Sequence, residues 1–444
     1  MKTLIKNAWI LTMDKTLSTY PQGMLVIEDD KISYVGEYDS DIEKYVDEVI
    51  DASGGILIPG MINTHAHVSM IPFRSLGDDC PDRLRRYLFP LEIECMRAPL
   101  VYEAARYGIL EMQRSGVTTF LDMYYFEEEV ARACDEMQMR GVLGETVINF
   151  PTCDCEEAYG GLAYSEQFMS KWSNHLLVTP IIAPHATNTN DTKALQDAHE
   201  IAVRYDTLIS MHVAEMDYEM TEFREKYDMT PVEYLDSIGV LSDRLVAAHC
   251  IHVNENDMLL MANRGVKVAH CIGSNMKAGK GIAPVKEMIE HGLTVGLGTD
   301  GPSSGNTLDL FTQMKTAVYA QKTHYKDRSL FKAEEIVKLA TISGARALKM
   351  DDKIGSLEVG KQADIVLIET ESLNMFPIYD PYSAIVYSAN SSNVHSVWIN
   401  GVSVLKEKQS IFNQTEIKTS LQNEMQNFAK RAIERSKRFI NVNK

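Results

Sequence analysis

The beginning of the chain alternates short β-type runs with turn residues. Apolar and β-branched side chains dominate positions 4–12, 23–28 and 31–35, and Asp29-Asp30 separates the second run from the third. Short runs bounded by turn residues are typical of strands joined by tight connections. The pattern therefore predicts a small antiparallel sheet within the first 57 residues or so.

From Ile58 onward, β-type runs alternate with segments of helical period. Amphipathic stretches predict helices at 101–114, 130–140, 193–205, 256–263 and 283–290. The runs between them predict eight strands, at 57–64, 117–121, 142–148, 176–183, 207–211, 245–248, 267–269 and 294–298. Such alternation is typical of parallel βαβ units, and eight of them predict a closed (β/α)8 barrel.

The last part of the chain returns to β-type runs. After a helical stretch at 333–350, such runs occur at 364–369 and 394–399, and a polar helix is predicted from about Glu416. Because both ends are β-rich, we expect them to share one satellite sheet. The sequence predicts an α/β protein: residues 1–57 begin a small β-sandwich satellite domain, residues 58–350 form a TIM barrel, and residues 351–444 complete the satellite and add a terminal helix.

Composition and charge exclude several classes of protein. Hydrophobic residues make up 45% of the chain and charged residues 24%, which is typical of a globular protein with a sizeable core. The formal net charge of -18 and the lack of a basic stripe argue against a nucleic-acid partner. No run of about 18 apolar residues predicts a membrane span. Seven scattered cysteines indicate reduced thiols, so we expect a cytoplasmic location.

Residues of the types that bind metals follow several predicted barrel strands. His65 and His67 end the first strand, His212 the fifth, His249 the sixth and Asp300 the eighth. Each of them alone would more often be a structural residue with satisfied hydrogen bonds. Together they lie at the carboxyl ends of strands, where barrel enzymes place their sites. Imidazoles and one carboxylate suit zinc, with iron and manganese as alternatives, and predict a site for one divalent ion that activates water.

Five segments carry a resemblance to a known family. They are Pro59-Gly-Met-Ile-Asn-Thr-His-Ala-His67, His212-Val-Ala-Glu215, Ala248-His-Cys250, Thr299-Asp-Gly301 and Gly355-Ser-Leu-Glu-Val-Gly-Lys-Gln-Ala-Asp-Ile-Val366. With them the chain resembles the amidohydrolase superfamily along nearly its whole length. The resemblance implies a barrel hydrolase, and the last segment resembles the one with which these enzymes re-enter their satellite sheet.

The mononuclear deaminase branch fits best within that superfamily. The binuclear amidases need a carboxylated lysine at the end of a middle strand, where this chain has Ala183-Pro-His185. The chain is most similar to the S-adenosylhomocysteine/5′-methylthioadenosine deaminases and related aminohydrolases. The resemblance implies one divalent ion, with its ligands at His65, His67, His212 and Asp300.

The same resemblance implies three catalytic roles. Glu215 matches the family's proton shuttle, which protonates a ring nitrogen while water attacks the carbon that bears the amino group. His249 would orient that water. Asp300 would also accept the proton of the water and pass protons to the leaving amine.

Two further residues bear on the substrate. Glu92 matches a carboxylate that binds ribose hydroxyls, and His185 matches a histidine that lines the pocket. Leu143-Gly-Glu-Thr146 stands where relatives often carry Thr-Arg-Gly, so Glu145 replaces a pocket arginine or the arginine is lost. The following loop, 159–163, lacks a second arginine, and a carboxylate-bearing 5′ group would lose its partner. His270 is open between a pocket role and packing.

The leading hypothesis is a hydrolase that deaminates an adenine-type nucleoside with an uncharged 5′ group, such as 5′-deoxyadenosine or 5′-methylthioadenosine, to the inosine analogue and ammonia. A second enzymatic hypothesis changes the substrate to guanine, cytosine, a pterin or a chlorinated triazine. A third is a catalytically silent barrel that binds a ligand. The expected partner is a small heterocyclic substrate, and a homo-oligomer is left open.

Overall fold

The computed structural model describes residues 1–442, with side chains as far as Lys437. Two β-sheets organise the described part of the chain, one of nine strands and one of eight. In chain order the strands are β1 (Lys2–Leu11), β2 (Thr19–Glu28), β3 (Lys31–Glu37), β4 (Glu48–Asp51), β5 (Ile56–Pro59), β6 (Met61–Ala66), β7 (Val117–Tyr124), β8 (Arg140–Val147), β9 (Val178–Pro184), β10 (Ile209–Val213), β11 (Leu245–His249), β12 (Lys267–His270), β13 (Thr294–Leu297), β14 (Ile365–Ile368), β15 (Val394–Ile399), β16 (Val402–Lys406) and β17 (Gln409–Ser410).

The eight-stranded sheet is the predicted barrel. Strands β6 to β13 are parallel and hydrogen-bonded in sequential order. Its two edges meet where the backbone N–H groups of Thr299 and Asp300 donate to the carbonyl oxygen of His65, at 3.2 and 3.0 Å. The (β/α)8 barrel is therefore confirmed, and its closure lies at the carboxyl ends of the strands.

Helices follow the barrel strands and flank the satellite sheet. Short 3-10 segments span Val68–Phe73, Thr187–Thr189, Leu373–Met375 and Ser391–Asn393, and π segments span Leu84–Leu88 and Ala384–Ser388. The α-helices are α1 (Ser40–Glu43), α2 (Phe89–Cys95), α3 (Ala98–Arg114), α4 (Glu127–Glu136), α5 (Gly161–Trp172), α6 (Thr192–Arg204), α7 (Asp217–Tyr227), α8 (Pro231–Ser237), α9 (Glu255–Asn263), α10 (Ile272–Lys277), α11 (Val285–Glu290), α12 (Leu310–Tyr325), α13 (Ala333–Ala340), α14 (Ile342–Ala347), α15 (Pro381–Ser383), α16 (Gln414–Glu424) and α17 (Gln426–Val442).

The helix predicted at 333–350 is two helices. The backbone of Thr341 (φ -130°, ψ -102°) leaves the helical region and separates α13 from α14. This break directs α14 to the amino-terminal end of the barrel, where Ala345 and Leu348 pack with Ile62 and Leu121 of the barrel interior. The barrel is thereby filled at the end opposite the predicted site.

The strand predicted at 57–64 is likewise divided. Strand β5 pairs with β1 and β14 in the satellite sheet, whereas β6 belongs to the barrel. Gly60 joins them, and a Cβ atom at this position would lie 2.1 Å from Oγ1 of Thr118. Only glycine fits so close an approach. The predicted domain boundary after residue 57 falls inside β5, and we place the junction at Gly60 instead.

Both ends of the chain build the satellite sheet, in the order β17-β16-β15-β14-β5-β1-β2-β3 with β4 beside β1. The prediction of an antiparallel amino-terminal sheet is only partly correct, because β4 and β5 run parallel to β1. Ile5 and Leu25 share one core with Leu367 and Trp398, so the two ends of the chain pack as one domain. The backbone N–H of Ile32, in β3, donates to the carbonyl oxygen of Lys361 at 2.9 Å, which ties β3 to the segment that precedes β14.

Two expectations from composition can be compared with the structure. All seven cysteines are free thiols. Among the helices of residues 1–442, none is both long and apolar enough to cross a membrane.

A buried ion pair joins the barrel to the satellite domain. The guanidinium of Arg140, at the start of β8, donates to both carboxylate oxygens of Asp364, at 3.3 and 3.1 Å. The side chains are only 5% and 1% exposed. The backbone N–H of Asn400 also donates to Asp364, at 2.7 Å.

We expect Asp364→Ala to lower the free energy of unfolding by about 3–5 kcal/mol, because it leaves a buried guanidinium without its partner. Chemical denaturation followed by circular dichroism measures this loss. Lys193→Met, which breaks the exposed pair between Lys193 and Asp197, is the control and should leave the midpoint unchanged. Equal midpoints for both variants would show that the interdomain pair does not contribute.

Candidate active site

Four histidines meet at the carboxyl ends of three barrel strands. His65 lies in β6 and His67 directly follows it, while His212 lies in β10 and His249 ends β11. The ring centroid of His65 is 4.9 Å from those of His67 and His212 and 5.7 Å from that of His249. Asp300 follows β13, and its Oδ1 lies 3.2 Å from Nε2 of His67. The structure thus brings together all five residues predicted at the strand ends.

The backbone is unusual where these strands end. His249 and Asp300 have φ values of 71° and 59°, and Ala214, just after β10, has 49°. Left-handed backbone is uncommon for residues other than glycine, and it accumulates at functional sites. These strand ends therefore carry a conformational cost that is typical of a site and not of a packing core.

Backbone carbonyls and an amide fix three of the imidazoles. Nδ1 of His67 donates to the carbonyl oxygen of Met123, and Nδ1 of His212 donates to that of His185, at 2.5 Å. Nδ1 of His249 lies 2.8 Å from the amide oxygen of Asn275. A neutral ring that donates from Nδ1 keeps the lone pair on Nε2, so in each of these rings Nε2 is the nitrogen left for the centre of the site.

The donor set fits a divalent metal ion. Both ring nitrogens of His65 and Nε2 of His249 are buried and have no hydrogen-bond partner within the described part of the chain. Donor atoms of His65, His67 and Asp300 lie within 4.8 Å of one another, and so do those of His65, His212 and His249. Buried polar atoms without partners are rare unless a bound group satisfies them. His65, which belongs to both triads, lies at the centre of the set.

The charges favour a cation at the same point. Burial lowers the pKa of His65 and of His212 well below the usual value, so both rings are neutral. Burial also lowers the pKa of His67, but the hydrogen bond and charge of Asp300 outweigh it and raise this pKa to about 9. Burial raises the pKa of Asp300, yet His67 brings it well below the ordinary range. The ionised Asp300 therefore attracts positive charge to this point, beside the neutral rings of His65 and His212.

Hydrogen bonds hold Asp300 in place. The hydroxyl of Ser274 donates to Oδ2 at 2.6 Å, and the N–H of Gly301 donates to Oδ1 at 2.6 Å. The preceding residue, Thr299, exchanges two hydrogen bonds with the side-chain amide of Asn63 in β6. Ser274, in α10, was not singled out from the sequence. The carboxylate has little freedom to turn.

Glu215 lies beside the histidines, three residues after His212. Its Oε1 is 3.4 Å from Nε2 of His249 and accepts a hydrogen bond from Nζ of Lys280. Burial raises the pKa of Glu215, but His249 and Lys280 lower it to about 2. Lys280 could not be singled out from the sequence, because its loop brings it to Glu215 only in the folded chain.

The two predicted substrate residues lie near the histidines. Glu92, in α2, is buried and accepts a hydrogen bond from the hydroxyl of Tyr124 at 3.1 Å, and burial raises its pKa to about 7. The Tyr124 ring lies 6.4 Å from that of His67. The ring of His185 lies 5.0 Å from that of His212. The roles of Glu92 and His185 stay predictions.

Aromatic rings extend from His185 towards α2. The ring of Phe89 lies 6.3 Å from that of His185 and 5.5 Å from that of Phe150. Nδ1 of His185 hydrogen-bonds with the hydroxyl of Thr189 at 3.0 Å, which orients the ring. These rings, here called the aromatic wall (Phe89, Phe150 and His185), offer an apolar surface next to the histidines.

Glu145 and His270 contact other parts of the fold. Glu145 is completely buried, and its Oε2 accepts the N–H of Glu127 at the start of α4, at 3.1 Å. It therefore supports a helix and is no counterpart of a pocket arginine. His270 is also buried, and burial lowers its pKa to about 3, so the ring is neutral. Within the described residues neither of its ring nitrogens has a hydrogen-bond partner, and it belongs to neither donor triad.

Ion pairs hold together the loops that surround the site. The guanidinium of Arg83 donates to the carbonyl oxygen of Ser303 at 2.5 Å. Nζ of Lys277 donates to Asp78 at 2.9 Å and to Asn306 at 2.8 Å. These contacts join the loops that follow β6, β12 and β13, so the rim of the site is one connected unit.

The barrel, the buried donor set and the adjacent carboxylate define a metal-dependent hydrolase. The amidohydrolase family model matches residues 56–404, and the chain belongs to this family. The predicted resemblance, the divalent-metal requirement and the class of hydrolytic aminohydrolases are thereby confirmed.

Three similar proteins extend this comparison. The chain is 38% identical over 418 residues to a 5-methylthioadenosine/S-adenosylhomocysteine deaminase from Syntrophus aciditrophicus, which covers 93% of this chain and 94% of that one. It is 36% identical over 410 residues to a 5′-deoxyadenosine deaminase from Methanococcoides burtonii, covering 91% and 93% of the two chains. The crystal structure of an adenosine deaminase from Xanthomonas campestris with bound zinc superposes with a TM-score of 0.93 at 27% identity, covering 96% and 98% of the chains.

Proposed function

We propose that this enzyme hydrolyses the amino group from adenine-type nucleosides that carry an uncharged 5′ group, such as 5′-deoxyadenosine and 5′-methylthioadenosine. The product is the inosine analogue, with release of ammonia. The proposal rests on one observation. The carboxylate of Glu215 lies against the buried histidine and aspartate donors, and a second buried carboxylate, that of Glu92, lies near the same donors. Relatives named for 5′-deoxyadenosine and 5-methylthioadenosine support the choice of nucleoside.

His65, His67, His212 and Asp300 would hold one divalent ion, and we propose zinc. Imidazole nitrogens with one carboxylate are a common zinc donor set, and the similar adenosine deaminase contains zinc. When bound, such an ion lowers the pKa of a coordinated water molecule to near neutrality, so that a strong nucleophile is available.

The residues around that position move the protons of the reaction. As the oxygen of water adds to C6 of the adenine ring, the ionised carboxylate of Glu215 takes one proton of that water and delivers it to N1. Nε2 of His249 lies beside Glu215 and orients the water. Asp300 takes up the second proton of the water and passes it to the amino nitrogen. The C6–N bond then breaks, ammonia leaves, and C6 keeps the oxygen as a ring carbonyl.

The remaining contacts position the nucleoside. The carboxylate of Glu92 would accept hydrogen bonds from the ribose hydroxyls, with its Oε1 held by Tyr124. The aromatic wall gives an apolar 5′ group a surface to lie on. Glu145 is an acidic residue held against the start of α4, so it offers no positive charge to a homocysteine carboxylate.

The other hypotheses have less support. A free base or pterin would leave the buried carboxylate of Glu92 without a ribose to bind. A catalytically silent barrel would be expected to lack part of the donor set or the acid, yet all are present. The cytoplasmic location and a homo-oligomer stay predictions.

Product release from a panel of substrates tests the proposal. Metal-loaded enzyme would be supplied with adenosine, 5′-deoxyadenosine, 5′-methylthioadenosine, S-adenosylhomocysteine, guanine, cytosine, a pterin and a chlorotriazine. Ammonia is measured throughout, and chloride for the triazine. We expect the highest kcat/KM for the two nucleosides with uncharged 5′ groups, and turnover of only bases, pterins or the triazine would contradict the proposal.

The proton shuttle can be separated from the metal site. We expect Glu215→Gln to lower kcat by about 10²- to 10⁴-fold, because the amide cannot deliver the proton. Metal content, measured by mass spectrometry, should equal that of the wild type. Loss of the metal from this variant would mean that Glu215 is a ligand.

The role of Glu92 can be tested on paired substrates. We expect the wild type to prefer adenosine over 2′,3′-dideoxyadenosine by about 10- to 100-fold in kcat/KM, because the dideoxy compound leaves a buried carboxylate unpaired. In Glu92→Ala this ratio should fall towards one. Glu94→Ala, which removes an exposed glutamate from the same helix, is the control and should keep the wild-type ratio. An unchanged ratio in Glu92→Ala would exclude a contact with the ribose.

A further inference from the structure

We propose that Lys280 is a positioning residue for the proton shuttle: its ammonium holds one carboxylate oxygen of Glu215, so that the other oxygen faces the substrate. This inference rests on the proposed function for the shuttle role of Glu215. Lys280 belongs neither to the donor set nor to any motif on which the family resemblance depends.

The loop between α10 and α11 brings Lys280 into the site. Gly279 and Gly281, on either side, have φ values of 65° and 125°, which are accessible to glycine at little cost. The backbone N–H of Lys280 donates to the carbonyl oxygen of Asn275 at 2.9 Å. Asn275 is also the residue whose amide contacts His249. The loop thus fixes Lys280 and the ring of His249 through one residue.

The surroundings of Lys280 require a partner for its charge. Its side chain is 17% exposed, as is that of Glu215, with which it forms an ion pair. An ammonium taken out of water is unfavourable unless a carboxylate compensates it. Asp300 adds a second negative charge nearby, and together with Glu215 it offsets the effect of burial on the pKa of Lys280, which is raised. Lys280 therefore stays charged in the site.

The contacts divide the two oxygens of Glu215. Oε1 accepts the hydrogen bond from Lys280 and lies 3.4 Å from Nε2 of His249. No hydrogen bond within the described residues uses Oε2. The hydrogen bond from Lys280 restricts the rotation of the carboxylate, and Oε2 is the atom left to reach a ring nitrogen. A fixed orientation of the donor and acceptor atoms contributes much of the rate of a proton transfer.

A purely structural ion pair is the competing explanation. In that case Lys280 would stabilise its loop and the fold without affecting the transfer step. The two explanations differ in which kinetic constant changes and in which substitution restores it.

The test uses full-length, metal-loaded enzyme with Lys280→Met, Lys280→Arg and the control Lys286→Met. Met keeps the bulk of the side chain without its charge, and Arg keeps the charge. Lys286 pairs with Glu290 in α11, outside the site. Its replacement therefore removes a paired lysine from a neighbouring segment without touching Glu215. The readouts are kcat and KM, metal content and thermal unfolding, on whichever panel compound the wild type deaminates.

We expect Lys280→Met to lower kcat by roughly 10- to 100-fold, a part of what a positioned acid contributes, with little change in KM or metal content. Lys280→Arg should recover part of the loss, and Lys286→Met should behave as wild type. A folded Lys280→Met with wild-type kcat would overturn the proposal. If the Met variant does not fold, the Arg variant decides: kcat close to wild type supports the proposal, and a loss beyond 100-fold in a folded, metal-loaded protein overturns it.

A double variant shows whether Lys280 acts through Glu215. In the Glu215→Gln background, we expect Lys280→Met to cause no further loss of the residual rate, because the shuttle is already absent. Losses that multiply would show an independent role. If the wild type deaminates no nucleoside but releases ammonia from another panel compound, the proposed substrate is wrong, while the Lys280 comparison still applies to that compound.

Discussion

The ionised carboxylate of Asp300, buried among four imidazoles, is the constraint on which the rest of the site depends. A charge in this position is tolerable only with hydrogen bonds and a compensating cation. Ser274 and the N–H of Gly301 supply the hydrogen bonds, and the neutral rings of His65 and His212 leave room for a cation with open coordination. The barrel also closes here, because the N–H of Asp300 donates to the carbonyl of His65. The contact that closes the barrel therefore also holds Asp300 beside His65.

The barrel explains how residues far apart in the sequence reach one point. Parallel strands end on the same face, so β6, β10, β11 and β13 each present a side chain to the barrel axis without a long loop. The loops then add what the strands cannot. Glu92 comes from the segment after β6. Lys280 comes from the loop after β12 and donates a hydrogen bond to Glu215. A rigid donor set combined with loop-borne substrate contacts is how one fold serves many reactions.

The sequence predicts the barrel and the clustering of the five strand-end residues, because both follow from the order of the strands. Alternation of strands and helices is a short-range pattern, and it places these residues at strand ends, while the family resemblance implies which of them would be ligands. The predictions that fail are those that depend on contacts between residues far apart in the sequence. The division at Gly60 depends on how close Thr118 comes, and the break at Thr341 depends on packing against the barrel interior. Strands β4, β16 and β17 are short and partly exposed, so they lack the apolar alternation that marks a strand.

Prediction of the site from the sequence fails for the same reason. Lys280 follows no motif, and only the fold brings its ammonium to Glu215. Glu145 stands at a position where the resemblance suggests a pocket residue, yet its burial behind α4 could not be read from the sequence. Side chains that act directly on the metal are thus easier to predict than those that position other side chains, because the latter depend on contacts between separate loops.

Anomalous diffraction from a crystal of the metal-loaded enzyme, recorded at the absorption edge of zinc, would locate the ion among its ligands. For a mononuclear zinc site we expect one strong peak per chain, about 2.0–2.2 Å from a ring nitrogen of His65, His67 and His212 and from an oxygen of Asp300. A peak elsewhere, or two peaks bridged within the site, would contradict a mononuclear centre and with it the proton transfers assigned to Glu215 and Asp300.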